Sequence, residues 1–343
     1  MHISEFDFEL PNELIAQSPL AERAASRMLA VNRDQSMFAD HNFSDLPSFL
    51  RSGDVLVLNN TKVFPARLFG ESETGANIEI FLVLEQSNGE WEVLARPARR
   101  LKVGKRIDFS GDLSCRVIAK NDDGRVFVRF ETDREFYEVL NEIGKTPLPP
   151  YIKRDTTSID RDRERYQTVF AKERGAIAAP TAGLHFNAGM LEHLQEIGVT
   201  IAEITLHVGY GTFEPVRAID LAEHRVSPER YKISTETAEE LNQARVDGRR
   251  IIAVGTTTTR TLEDSISHHD TFLPGERAAE LTITPGYKFK AINGLLTNFH
   301  LPQSSLLVLT STFGGHDLIM KAYRHAVATK FRFYSYGDCM LIV

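Results

Sequence analysis

Three histidines stand in the same kind of place along this chain. His185 closes AAPTAGL, His207 closes VTIAEITL, and His300 closes LLTNF just before a proline, so each sits where an apolar segment runs into a turn-forming loop. An imidazole titrates near neutral pH and carries protons in either direction, which makes such junctions candidates for general acid–base work. The same side chains offer a second chemistry, a three-histidine zinc site in a metal-dependent hydrolase, although no H-E-x-x-H or other close-spaced pair supports a metal. The segment after His207, VGYGTFEPV, adds Gly211 beside Phe213 and Glu214. A glycine admits close backbone approach, and an aromatic face with a carboxylate suits a cationic ligand.

Two further stretches carry chemistry by position. VGTTTTRTLED places Thr256 to Thr259 and Arg260 where a buried strand turns into a helix. Free N–H groups and the positive end of a helix dipole favour carboxylate or phosphate there, while simple helix capping by the threonines is the plainer reading. No Walker P-loop and no G-x-G-x-x-G after a strand is present. ARPARRLKVGKR gathers Arg96, Arg99, Arg100, Lys102, Lys105 and Arg106 with no acid from Val93 to Ile107. Such a run is a solvated face or a nucleic-acid contact, and as a contact it must work locally, because the whole chain carries a net charge of −7.

The elements that must hold these residues change character along the chain. Val55 to Leu58 reads as a buried strand that ends in an Asn-Asn-Thr turn. From about Arg67 to Phe130, IEIFLVLE, WEVLARP, RIDF, SCRVIAK and RVFVRF are short β-rich pieces separated by hairpin-type turns, which points to a small antiparallel barrel or sandwich. TPLPPYIKR is Pro-rich and extended, an exit linker. Beyond it strands and helices alternate. GAIAAP is strand-like. Asn187 caps a helix that stops at Gly198. In VTIAEITLHV the residues Ile204, Leu206 and Val208 share one face, with Thr205 and His207 on the other. Ser234 or Thr235 opens a helix closed by Gly248, and SSLLVLTSTF fits helix or strand equally. The expectation is an α/β main domain built from both ends of the chain, residues 1–66 and 151–343, with an inserted small antiparallel β-barrel over 67–150.

A chain of 343 residues buries a sizeable core, and no apolar run approaches the roughly 20 residues needed to span a bilayer. The N-terminus, MHISEFDFELP, has acids where a signal peptide has bases, so the expected location is cytoplasmic. Cys115 and Cys339 are too far apart in sequence for a C-x-x-C motif, and Cys339 reads as a small core residue rather than a nucleophile.

Taken together the chain resembles the S-adenosylmethionine:tRNA ribosyltransferase-isomerase family of queuosine biosynthesis. The likeness runs nearly end to end, through FDFELPNELIAQSPLAERAASRML, GDVLVLNNTKVFPARLFG, TPLPPYIKR, RYQTVFA, AAPTAGLHF, TLHVGYGTFEPV, AVGTTTTRTLE, PGYKF, LLTNFHLPQSSLL and FYSYGDCMLI. The resemblance implies an enzyme that moves the ribosyl part of S-adenosylmethionine onto 7-aminomethyl-7-deazaguanine at the tRNA wobble position. Epoxyqueuosine is the product, and adenine and methionine are released. It implies no bound metal or prosthetic group, S-adenosylmethionine being a consumed substrate. The implied partners are that tRNA and that donor, with no membrane and no obligate protein partner. By motif it implies His185, His207, His300 and Glu214 as catalytic residues, the histidines carrying protons in no assigned order. Thr181, Gly211 and Phe213 would wall the sulfonium and ribose. Thr257, Arg260 and Asn298 would hold the methionine carboxylate or ribose hydroxyls, and Arg23, Arg27, Asn59, Asn60 and Arg67 would line the cleft or the RNA path. It also turns the basic run of Arg96 to Arg106 into an RNA contact. In one segment the chain departs from the family pattern H-x-M-H-x-E: here it is HRVSPE, with Val226 and Ser227 in place of the methionine and second histidine. Thr258 and Thr259 stand for Ser-Val, and Cys339 for alanine. A non-catalytic RNA-binding module is the remaining alternative.

Overall fold

The computed structural model describes residues 1–86, 89–110, 112–121, 125–154, 159–209, 216, 218–267 and 269–343. Its strands, in chain order, are β1 (Arg27–Asn32), β2 (Met37–Asn42), β3 (Val55–Asn59), β4 (Thr61–Val63), β5 (Arg67–Ser72), β6 (Asn77–Glu85), β7 (Glu90–Arg96), β8 (Arg106–Ser110), β9 (Leu113–Lys120), β10 (Val126–Glu131), β11 (Glu173–Ala176), β12 (Thr200–Leu206), β13 (Glu229–Ile233), β14 (Ile251–Val254), β15 (Gly275–Ala279), β16 (Gly294–Asn298) and β17 (Cys339–Ile342). The helices are α1 (Phe136–Ile143), α2 (Ile159–Arg165), α3 (Ala188–Glu196), α4 (Thr235–Val246), α5 (Thr256–Ser267), α6 (Ser305–Gly314) and α7 (His316–Ala328).

Nine strands form one mixed sheet in the order β15-β13-β12-β3-β14-β16-β17-β1-β2. Its centre, β12-β3-β14-β16, is parallel, and antiparallel β13 and β15 flank it on one side. On the other side β17 runs antiparallel to β16, parallel to β1, and β2 closes that edge. A central parallel strand is covered on both faces and so reads as unbroken apolar sequence. In β3, Val55 and Val57 join the core on one face, while Leu56 and Leu58 join the core on the other. β14 divides the same way, Ile251 and Ala253 against Ile252 and Val254. Ile204, Leu206 and Val208 do share one core, as their spacing predicts.

The inserted β-rich segment closes on itself as a six-stranded antiparallel barrel, β10-β7-β6-β5-β8-β9. Closure rather than a sandwich follows from β5 pairing with both β6 and β8, and β10 with both β7 and β9. Alternate residues Ile78, Ile80 and Leu82, with Trp91 and Val93 across from them, fill the interior. Chain enters and leaves this barrel beside a two-stranded pair, β4 and β11. The mixed α/β fold with an inserted antiparallel barrel is the one expected from sequence. One local reading changes and two segments left open are resolved. GAIAAP contributes only the end of β11, then bends. RLFGES, at the start of the β-rich stretch but not among its five named pieces, is the sixth barrel strand, β5. SSLLVLTSTF is helix α6: the Ser304 hydroxyl accepts from Leu307 N–H, and Thr310 and Thr312 tuck their hydroxyls onto the carbonyls four residues back.

Candidate active site

The C-terminal ends of parallel strands are where open α/β sheets bind ligands, because the loops there diverge and leave a crevice. Beyond the ends of β14 and β16 lies a cleft of about 590 Å³, measured out to its mouth. Thr256 and Thr257 from the start of α5, Asn298 and His300 from the end of β16, and Ala178 to Ala182 line one part of it. Tyr151, Tyr166, Tyr334 and Ser335 line another. Tyr151 and Tyr334 meet edge to face with ring centroids 3.9 Å apart, and the Tyr151 hydroxyl bonds that of Ser335. Tyr166 is fully buried, and its hydroxyl has no partner of hydrogen-bond geometry among the described residues. Burial pushes all three phenols up, Tyr334 to about 12, so they are neutral donors.

Asn298 is the best-determined polar group of the wall. Its Nδ2 donates to the Tyr334 carbonyl at 3.1 Å, to His185 Nε2 at 3.2 Å, and more weakly to the Asp338 carbonyl at 3.5 Å. Two carbonyl oxygens on one side of an amide identify that side as nitrogen, so the other atom is Oδ1. That oxygen is buried and has no partner among the described residues.

The three histidines do not converge. His300 lines the cleft, with Nε2 3.0 Å from Thr297 Oγ1 and its backbone N–H donating to Tyr323 Oη at 3.1 Å. Its Nδ1 has no hydrogen-bond partner among the described residues. Burial holds its pKa down to about 3, so the ring is neutral. His185 stands behind Asn298, outside the cleft lining. Since Nε2 accepts from Asn298, Nδ1 carries the hydrogen and donates to Ser26 Oγ at 2.7 Å. Desolvation, then Arg332 and Arg23, lower it to about 3. His207 belongs to a different network, at the end of β12, where Nδ1 lies 2.8 Å from Thr61 Oγ1. Its ring rests on Gly175, where a Cβ would come within 2.7 Å. Burial lowers its pKa against the opposing pull of Glu173. No three His, Cys, Asp or Glu side chains gather among the described residues, so the three-histidine metal site is not assembled there.

Other expected residues divide clearly. Thr181 and Thr257 line the cleft with Asn298. Gly211, Phe213 and Glu214 lie outside the described residues. Arg260 does not reach the cleft. Its Nη1 donates to Glu229 Oε2 at 2.8 Å, Nε to the Leu281 carbonyl at 2.9 Å, and Nη2 to the Ser227 and Ala279 carbonyls at 2.8 and 2.5 Å. Glu229 also accepts from Gly209 N–H at 2.9 Å. Arg260 is therefore a buried clamp on the segment that holds Ser227, with four of its five N–H donors taken. Arg23 is spent on the carbonyls of Leu184, Glu164 and Gln167, and Arg27 bonds Thr329 and Asp40. Asn59 brackets Leu206 through both its backbone N–H and C=O, and Asn60 bridges Thr205 and Glu203. Arg67 is paired with Glu79. The tyrosines were missed because they are scattered over TPLPPYIKR, RYQTVFA and FYSYGDCMLI; only the fold collects them.

The basic run wraps the end of β7, a 3₁₀ turn at Ala98–Arg100 and the start of β8. Arg96, Arg99 and Lys102 are exposed and Lys105 half-exposed; the Arg100 side chain lies outside what is described. Arg106 is neutralised by Asp108 at 2.8 Å and Glu131 at 3.5 Å. From β9, Lys120 reaches the Ala98 carbonyl and Arg116 the Gly104 carbonyl, two cations beside the run that its sequence gives no sign of. A groove of about 1170 Å³ runs between Arg96 and Arg67 on the barrel and Pro147 to Pro150, Ile152 and Ile177 on the other side. Ile152 and Ile177 in the groove wall are chain neighbours of Tyr151 and Ala178 in the cleft wall.

Comparison with known proteins bears on what this arrangement serves. The S-adenosylmethionine:tRNA ribosyltransferase-isomerases of Desulforamulus reducens and Syntrophotalea carbinolica are each 48% identical over 345 residues, covering the whole of both chains. A crystal structure of S-adenosylmethionine tRNA ribosyltransferase from Thermotoga maritima matches with a TM-score of 0.57 at 36% identity, over 99% of this chain and 100% of that one. The family model described as queuosine biosynthesis protein matches residues 3–342. With the match running almost from end to end, this chain belongs to the queuosine biosynthesis protein family.

Proposed function

We propose that the chain transfers and isomerises the ribosyl moiety of S-adenosylmethionine onto 7-aminomethyl-7-deazaguanine at the wobble position of tRNA. The product is epoxyqueuosine, and adenine and methionine leave. The observation that carries the reading is one tyrosine-walled cleft that joins a neutral histidine, a fixed amide and a helix N-terminus, in a chain that matches such enzymes over its full length.

A sulfonium acidifies the carbon beside it, so a base can remove a proton there. Adenine departs with help from a general acid, the RNA-borne amine attacks in its neutral form, and closure of the epoxide expels methionine. Each step is favoured where water is excluded. We read His300 as the proton carrier for the donor, a role supported by its position in the cleft lining and its Nδ1, unpartnered among the described residues. His185 acts by orienting Asn298. His207 and Glu214 are proposed as further acid–base residues. Thr181, Thr257 and Asn298 hold the donor, and Gly211 and Phe213 are proposed to wall its sulfonium and ribose. No resident cofactor enters this reading, and the setting it implies is the cytoplasm. Among the described residues no helix is long and apolar enough to cross a membrane.

The barrel, residues 67–150, is proposed as the tRNA-carrying domain, and residues 1–66 with 151–343 as the domain that holds the donor. Arg96, Arg99, Arg100, Lys102 and Lys105 would meet phosphates, with Arg106 already paired. The test is adenine release, followed by chromatography, from S-adenosylmethionine mixed with tRNA bearing 7-aminomethyl-7-deazaguanine, with unmodified tRNA as control. Release with the modified tRNA alone, and a matching mass gain on the RNA, is expected. Absence of release from folded protein overturns the reading.

A further inference from the structure

Thr256 and Asn298 stand side by side because the strands that deliver them are paired. β14 and β16 run parallel with Val254 opposite Leu296, so both chains leave the sheet edge together. The two ends differ in polarity. On the β14 side Gly255, at φ +96, turns the chain into α5, and the first bond of the helical ladder is Thr259 N–H to the Gly255 carbonyl at 3.1 Å. Glycine has no capping side chain. Thr258 and Thr259 point their hydroxyls back onto the Val254 and Gly255 carbonyls. The N–H groups of the first turn, at the positive end of a 12-residue helix, are therefore left toward the cleft that Thr256 and Thr257 line.

On the β16 side Asn298 is 2% exposed and lines the same cleft. Its nitrogen is committed to His185 and two carbonyls, and its oxygen has no donor among the described residues. A flipped amide would set that oxygen against the carbonyls of Tyr334 and Asp338, so the acceptor cannot exchange places with the donor. A buried acceptor without a partner is costly unless a ligand supplies the hydrogen.

An anion-seeking helix end beside a lone, fixed acceptor is complementary to a group with a carboxylate and an ammonium on one carbon. We propose that the start of α5 and Asn298 Oδ1 form a receptor for the α-amino-acid head of the donor, the carboxylate on the first-turn N–H groups and the ammonium donating to Asn298. This rests on the donor being S-adenosylmethionine. It gives Asn298 the opposite charge preference from the carboxylate role its motif implies, and it needs no help from Arg260. The tyrosine-walled remainder of the cleft is left for the sulfonium, ribose and adenine.

The experiment compares inhibitors of adenine release, with modified tRNA present: S-adenosylhomocysteine, its deaminated form and its decarboxylated form. Each deletion should weaken inhibition of the wild-type protein by about 10- to 100-fold, the range of a hydrogen bond to a charged group. In Asn298→Ala the penalty for deamination should shrink to within about threefold while the penalty for decarboxylation persists. A purely structural Asn298 would weaken all three inhibitors in parallel and keep both ratios. If the wild-type protein binds the deaminated form as tightly as the parent, the proposal is overturned without any variant, which covers an Asn298→Ala that fails to fold. Wild-type turnover of S-adenosylmethionine with no such discrimination sinks this inference alone; no turnover sinks the functional reading beneath it.

Discussion

Asn298 donates its amide nitrogen to Nε2 of His185 at 3.2 Å, and that contact decides what each residue is free to do. It fixes the imidazole with its hydrogen on Nδ1, toward Ser26 Oγ. It also fixes which atom of the amide is the oxygen, a buried acceptor with no partner among the described residues. His185 has no open nitrogen left for a substrate, whereas Asn298 has one open atom of known polarity. The burial that holds His185 neutral is thus part of how the cleft is built.

His185 and His300 make stability depend on pH with a definite sign. Both have folded-state pKa values of about 3, against about 6.5 for an exposed imidazole. The unfolded chain therefore binds more protons between these limits, so stability is complete above pH 6.5 and is lost as pH falls toward 3. Each contributes up to about 1.4 kcal/mol per pH unit, hence about 4 kcal/mol for the pair between pH 6.5 and 5. Urea unfolding at pH 7 and pH 5 measures it, and a curve that does not move with pH contradicts the burial of these rings.

Arg260 and Glu229 form a buried pair, each side chain 7% exposed. Removing one partner leaves the other charged and desolvated, so Glu229→Gln or Arg260→Met should cost about 3–5 kcal/mol. Replacing both, Glu229→Leu with Arg260→Met, should cost less than the two singles added. Strict additivity in denaturant midpoints would show that the pair is not energetically coupled.

Much of this was legible in the order of residues. The two-sided strands Val55–Asn59 and Ile251–Val254, the Asn187 and Ser234 caps, and the hairpin spacing of the barrel are local signals, and the chain obeys them. What was not legible is which polar groups are consumed by the fold. Arg260 sits at a strand–helix junction as a ligand residue would, yet four partners from distant segments take its donors. Tyr151, Tyr166 and Tyr334 give no periodic signal and meet only in three dimensions. The likeness of context among the three histidines reflected strand ends, not a shared site: His207 ends β12 beside Thr61, while His300 ends β16 in the cleft.

The barrel surface makes a prediction about salt. Arg99 and Lys102 are exposed, while Arg106 is already balanced by Asp108 and Glu131. Counterion release scales with phosphates neutralised, so Arg99→Glu with Lys102→Glu should weaken tRNA binding and flatten the slope of log affinity against log salt by about 1–2. Arg106→Gln should change that slope by less. Unaltered tRNA affinity in the double variant would reject this face as the contact.

His300 and His185 should separate by rescue. A proton carrier must keep a titratable nitrogen, so both His300→Ala and His300→Gln should lower the rate of adenine release by about 100-fold or more, with tRNA affinity unchanged. His185 needs only to accept from Asn298 and donate to Ser26. The amide of glutamine offers one acceptor and one donor group, so His185→Gln should recover most of the activity that His185→Ala loses, and the loss should fall mainly on KM for the donor. Burial also bears on the pH profile: with a pKa of about 3, His300 is neutral across the working range, so kcat should not fall between pH 8 and 6 through protonation of this residue. Full activity in His300→Ala removes it from the chemistry. Equal failure of both glutamine variants would mean that His185 does more than hold Asn298, and the division of labour argued from their hydrogen bonds would be wrong.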